Sequence, residues 1–267
     1  MAILIAIGAS GAVACEEPPW RAAAMPGSVT LHFLGDPAPG PVAAWYEEPT
    51  TRYAHGVLGD AIEAGALVAQ LDDFPNCITG RIVLPQAQVF EDIAPRLADL
   101  DGDGHAEIVV VQSSASDGAQ LAIYGLTPDG DGLELRAATP PIGRANRWLA
   151  PVGIADFNGD GQIDIAYVDR PHLARTLRIW SYVPGGLTGQ AQLREIANAA
   201  GFSNHRIGED FITGGVRDCG AGPEMVLADA NWQTVQVARL SGGAIIASAT
   251  APFSPEAVAQ AVACEQG

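Results

Sequence analysis

Two stretches of alternating acid and glycine constrain this chain more than anything else in it. They are Asp99-Leu-Asp-Gly-Asp-Gly-His-Ala-Glu107 and, 57 residues further on, Asp156-Phe-Asn-Gly-Asp-Gly-Gln-Ile-Asp164. Side-chain oxygens stand at loop positions 1, 3, 5 and 9: Asp99, Asp101, Asp103 and Glu107 in the first, Asp156, Asn158, Asp160 and Asp164 in the second. Glycine occupies position 6, where a chain wrapping a small hard cation must turn sharply. Position 7, held by His105 and Gln162, offers its backbone carbonyl in a loop of this kind. An all-oxygen donor set predicts calcium at two sites. Pro128-Asp-Gly-Asp-Gly132 has the same rhythm without the last acid and reads as a plain turn.

The segment after each loop decides the architecture. An EF-hand loop would run to a glutamate at position 12 and into an amphipathic helix. Here Glu107 leads into Ile-Val-Val-Val and Asp164 into Ile-Ala-Tyr-Val, which read as strands, and short apolar segments precede both loops. Each loop is therefore a strand-to-strand turn. Asp99, Asp101, Asp103, Gly104 and Glu107, with Asp156, Asn158, Asp160, Gly161 and Asp164, resemble the FG-GAP or VCBS-type repeat of integrin headpieces and bacterial exported proteins. Glu107 stands where that repeat usually has aspartate. The resemblance implies an all-β fold, a β-propeller with calcium in the loops between adjacent blade strands.

Other stretches of the chain carry variants of this unit. Ser28–Leu34 reads as a first strand, and Gly56–Ala69 as a decayed unit whose loop keeps only Asp60 and Glu63. The strands at Arg81 and Gln88 open the unit with the first loop; Leu133-Glu-Leu-Arg opens the next. Val216–Glu224 is a last loop, with its first acid lost and Cys219 inside. Units recurring every 41 to 60 residues predict four blades, and pairing of Ser28–Leu34 with Ala244–Thr250 would close the ring as a fifth. Ser254-Pro-Glu has the cap, proline and first-turn acid of a helix start, so a short helix is expected from Pro255 to about Cys264. The domain plan is thus a leader at 1–14, a linker at 15–27, the propeller at 28–252 and a helical tail at 253–267.

The leader is an uncharged apolar run ending in Ala12-Val-Ala14, the pattern of a signal peptide. Cys15 comes directly after it and resembles a bacterial lipoprotein acylation site, a possible lipid anchor. The chain is expected to be exported, either periplasmic, held at the cell envelope or secreted. No transmembrane span is expected, because the leader is too short to cross a bilayer. Cys77, Cys219 and Cys264 complete the cysteines, and a bond from Cys219 or Cys77 to Cys264 would pin the C-terminal tail. The net charge of −17 argues against nucleic acid as a partner, which needs clustered basic residues.

No Gly-x-Ser-x-Gly elbow and no histidine pair at metal-ligand spacing is present. Basic and aromatic residues gather instead ahead of three loop positions: Arg52, Tyr53 and His55; Arg147 and Trp148; His205 and Arg206. If the repeats superpose, Arg52, Arg147 and Arg206 ring the axis, a site for an anionic or sugar-like ligand with Trp148 as a stacking surface. The competing expectation is that each of these side chains pairs with an acid of the neighbouring blade and locks the ring. The main functional reading is a binding or scaffolding module for a protein, saccharide or anion. The alternative is a periplasmic hydrolase or lyase using the axial cluster, which requires Glu209 or Asp210 to converge on His205. A third reading, a structural partner of an envelope complex, requires an exposed apolar patch.

Overall fold

A computed structural model describes residues 23–31, 40–71, 78–185 and 190–265. The leader, Cys15 and Cys77 lie outside the described residues, as does part of the expected first strand. What is described is all-β with one short C-terminal helix.

The strands fall into four antiparallel units that succeed one another along the chain. The first comprises β1 (Thr30–Leu31), β2 (Ala43–Thr50), β3 (Glu63–Gln70) and β4 (Thr79–Val83). The second has an inner strand in two pieces, β5 (Gln88–Phe90) and β6 (Arg96–Ala98), then β7 (Glu107–Ser114), β8 (Gly118–Leu126) and β9 (Leu133–Ala138). The first two units are continuous, because Ala64 of β3 also pairs with Phe90, so they form one curled sheet of nine strands. The third is β10 (Leu149–Ala155), β11 (Asp164–Asp169), β12 (Thr176–Val183) and β13 (Gln192–Ala200). The fourth is β14 (Phe202–Ser203) and β15 (Gly215–Asp218) end to end along one edge of β16 (Pro223–Asp229), then β17 (Thr234–Ser241) and β18 (Ala244–Pro252).

The near-continuous apolar runs after each acidic loop are explained by how the units stack. Along β7, Val109 and Val111 enter one core and Ile108 and Val110 the other, as the two-residue period of a strand requires. One core joins Tyr46 and Leu67 of the first unit to Ile108 and Tyr124 of the second. The next joins Val109 and Ile123 to Ile165 and Tyr167 of the third, and a further one joins Val168 and Ile179 to Met225 and Leu227 of the fourth. The helix, Pro255–Val262, caps the last face by burying Val258 and Ala261 against Val226, Val235 and Val237. Ser254 is its N-cap, accepting the amide of Ala257 at 3.0 Å.

Three expectations from the sequence are corrected. The Arg81 and Leu133 strands are the outermost of the units they close, since β4 pairs with β3 and β9 with β8. The repeat is therefore displaced by one strand, and its second strands β2, β7, β11 and β16 recur at the more even intervals of 64, 57 and 59 residues. The loop at 51–62, which joins β2 to β3, thus lies at the opposite end of its unit from the acidic turns and is no decayed copy of them. Nor do the chain ends share a sheet: β18 pairs with β17 and β1 with β2. Among the described residues no ladder closes a ring, and the last face is covered by the helix instead.

Candidate functional site

The two acidic turns share one geometry. Each comes after an inner strand, β6 or β10, and enters a fully or nearly fully buried second strand, β7 or β11. Asp99 accepts the amides of Gly102 at 2.7 Å and Gly104 at 3.0 Å; Asp156 accepts those of Gly159 and Gly161, both at 2.8 Å. Asp103 and Asp160 each accept the amide two residues on, from His105 and Gln162, at 2.8 Å. Gly104 and Gly161 have φ of +90° and +85°, a backbone that any side chain would strain. The last acid of each turn reaches back: Glu107 accepts from Leu100 N at 2.8 Å and Asp164 from Phe157 N at 3.1 Å.

These residues fit a hard dication. Asp99, Asp101 and Glu107 each bring a carboxylate oxygen within 4.8 Å of the others. Asp164 is fully buried and its Oδ1 makes no hydrogen bond of good geometry; the Ser181 hydroxyl opposite it on β12 offsets part of the cost of burying the charge, and a cation would offset more. Burial pushes the Glu107 carboxyl up to about 7 and that of Asp164 to about 6, with the neighbouring aspartates adding to both. Asp101 is also raised, by burial and then by Asp103. The third turn, between β15 and β16, is held differently: Asp218 accepts the amides of Gly220 and Gly222, and Cys219 is bonded to Cys264 beyond the helix.

The basic and aromatic cluster lies at the other end of the units. Connections before β10 and between β2 and β3, β11 and β12, and β14 and β15 meet there, enclosing a cleft of 220 Å³. His55, Arg147 and Trp148 line it, and so do Asn146, Arg170, His172, Leu173 and Ile207. Tyr53 supports it from below, its hydroxyl accepting Asn146 N at 2.9 Å. Gly118 lets the 143–147 segment approach: a Cβ there would lie 2.1 Å from Arg144 O.

Two of the three arginines expected at an axial ring are elsewhere. Arg52 turns its guanidinium onto the carbonyls of Gln88, at 2.6 and 2.9 Å, and Leu84, at 3.3 Å, bracing the β4–β5 turn. Arg206 lies over Trp232, 4.1 Å from the ring centroid, and Phe253. Trp148 is a wall and not a stacking platform, being 2% exposed with its indole N–H donated to Glu91 O at 2.8 Å.

Behind the cleft are partners that the sequence reading missed. Glu91 is fully buried; one carboxylate oxygen meets His55 Nδ1 and the other accepts the Ser113 hydroxyl. His172 Nε2 lies 3.0 Å from His205 Nδ1, and His205 Nε2 lies 2.9 Å from Glu209 O. A carbonyl can only accept, so His205 carries its proton on Nε2 and takes the His172 Nε2 proton at Nδ1. The fold holds both neutral: burial, then His205, lowers His172 to about 4, and burial lowers His205. The Glu209 carboxylate does not reach His205; it accepts Arg206 N at 3.2 Å. His55 with Glu91 is where an acid and a histidine converge. Nothing in the Phe90-Glu-Asp92 run distinguished Glu91 from any acid closing a strand.

An apolar hollow of 480 Å³ lies between the helix and the 206–214 segment, lined by Phe211, Ile212, Phe253, Val258 and Val262 among others. No described helix is long and apolar enough to cross a membrane.

Residues 94–167 match the family model described as FG-GAP-like repeat. The matched span runs from β6 to β11 and holds both acidic turns. The chain thus carries an FG-GAP-like repeat, and its curled antiparallel sheets fit an FG-GAP repeat protein of β-propeller type. No curated protein matches the chain.

Proposed function

We propose that this protein is an exported, calcium-stabilised binding module. The observation that carries the reading is the duplicated oxygen-only turn that ends on a buried carboxylate, Glu107 in one copy and Asp164 in the other. Asp99, Asp101, Asp103 and Glu107, with the His105 carbonyl, would hold one calcium. Asp156, Asn158, Asp160 and Asp164, with the Gln162 carbonyl, would hold the other. The ion's chemistry here is charge compensation, which fixes each turn where its inner strand enters the core. Export rests on the 1–14 leader, with Cys15 as the anchor to the envelope. The ligand-binding end is the one away from the ions, where loops of several units converge. The apolar hollow beside the helix favours a second occupant class, a protein partner.

Thermal unfolding with calcium and with excess EGTA tests the stabilising role, alongside the double variant Asp101→Ala/Asp160→Ala. Calcium at about a hundred times its dissociation constant stabilises a one-site protein by about 2.7 kcal/mol. The wild-type midpoint is expected to rise with calcium and the double variant's to stay. Equal midpoints in calcium and EGTA for the wild type would sink the reading.

A further inference from the structure

The chain has 31 acidic residues against 14 basic ones, yet none of the residues lining the cleft is acidic, and two of them, Arg147 and Arg170, are cations. The Arg170 guanidinium is engaged by Asp169, with Nε–Oδ1 at 2.8 Å and Nη2–Oδ2 at 2.9 Å. Arg147 has no carboxylate partner among the described residues; its guanidinium donates from Nη1 to the adjacent Asn146 carbonyl at 2.6 Å. In a protein this acidic, a cation without a carboxylate partner, in a cleft free of acids, is a seat for an anion from outside.

His55 gives that anion a second donor. Its Nδ1–H is directed at the buried Glu91 carboxylate, which leaves Nε2 as the ring's other polar atom, on a side chain 19% exposed that lines the cleft. A ring that presents Nδ1–H to Glu91 and Nε2–H to the cleft donates to a carboxylate on either side of it. The charged and titratable groups facing this ring are Glu91 behind it, Tyr53 from its own loop, Arg147 and Arg170 across the cleft, and His172 from the β11–β12 connection. Leu173 and Ile207, 63% and 72% exposed, add an apolar rim. The left-handed φ of Asn146 and Arg170, +53° and +46°, is backbone strain on both sides of the cleft, as binding sites often carry. At about 30 Å³ per water, a cavity of 220 Å³ holds roughly seven waters, the size of a small organic acid.

We infer that the cleft binds a small carboxylate between Arg147 and His55. The inference rests on the reading of the protein as a binding module, and it names the ligand class. The test is titration calorimetry of the calcium-loaded protein with acetate, glucuronate and inorganic phosphate near neutral pH. Acetate and glucuronate separate a free small acid from one carried on a sugar, and at least one of them should bind. Arg147→Ala, a change at a partly exposed side chain, should weaken binding by about tenfold or more. His55→Ala should weaken it as well. Binding of neither carboxylate, or an Arg147→Ala protein that binds as the wild type does, would each overturn the proposal. Phosphate binding alone would overturn the ligand class. Calcium-dependent stability is read independently in the same sample by thermal unfolding, so its loss identifies failure of the metal reading and not of the anion site.

Discussion

The His172 and His205 rings show how a single hydrogen-bond acceptor fixes which nitrogens of two rings donate. Because the Glu209 carbonyl cannot donate, His205 keeps its proton on Nε2 and must leave Nδ1 bare to accept from His172; the neutrality of His172 itself is the work of burial, with His205 second. The consequence for stability has a definite sign. The unfolded histidine takes up its proton near pH 6.5 and the folded His172 at about 4, so between these values the unfolded state binds more protons. The stabilisation is complete above about 6.5 and is lost as pH falls toward about 4. Wild type and His172→Asn, compared by urea unfolding in saturating calcium, should therefore converge as the pH is lowered through that window. Glu107 and Asp164 are common to both proteins, so whatever they contribute cancels in the comparison. A stability difference independent of pH would show that the pair contributes packing alone. None of this was legible in the sequence, since the relay joins two rings 33 residues apart and ends on a backbone carbonyl.

The elements divide into those that announce themselves and those that do not. The acidic turns, the strands after them and the terminal helix with its Ser254 cap were readable because each rests on local chemistry: glycine at positive φ, a two-residue period, a capping hydroxyl. The grouping of strands into units was not, because Leu133–Ala138 looks the same whether it closes one unit or opens the next. Only its ladder with β8 decides. The β15–β16 turn is an element of the first kind whose anchoring was changed. Where the other two turns carry an acid set, this one carries Cys219 bonded to Cys264, 45 residues away. A cross-link closing a loop of that length is worth about 4 kcal/mol in the chain-entropy model. The paired variant Cys219→Ser/Cys264→Ser should lose up to that amount in urea unfolding while keeping its response to calcium. If the calcium response vanished as well, the third turn and the metal turns would be one cooperative unit.

At the scale of the whole molecule, stacked faces explain both the stability and the missing ring closure. Every unit buries a face on its neighbour, and the outward face of the fourth is covered by the helix, so that face needs no further sheet. One backbone hydrogen bond, from Gly208 N to Val57 O at 3.0 Å, ties the last unit's loop to the first unit's loop beside the cleft. The turns at the far end are pinned in two chemically independent ways: by a proposed ion in the second and third units, and by a disulfide in the fourth. Each pin can therefore be released alone. Under EGTA, amide exchange should speed up at 99–107 and 156–164, where the amides of Gly102, Gly104, Gly159 and Gly161 point at carboxylates that the proposed ion would organise. The turn at 218–223 should keep its protection, because its covalent bond does not depend on calcium. Reduction with calcium present should do the reverse, exposing 218–223 and the helix just before Cys264 while the acidic turns stay protected. Exchange that rises together in all three turns under either treatment would mean that the stacked units open as one body, with the cores between them stronger than either pin.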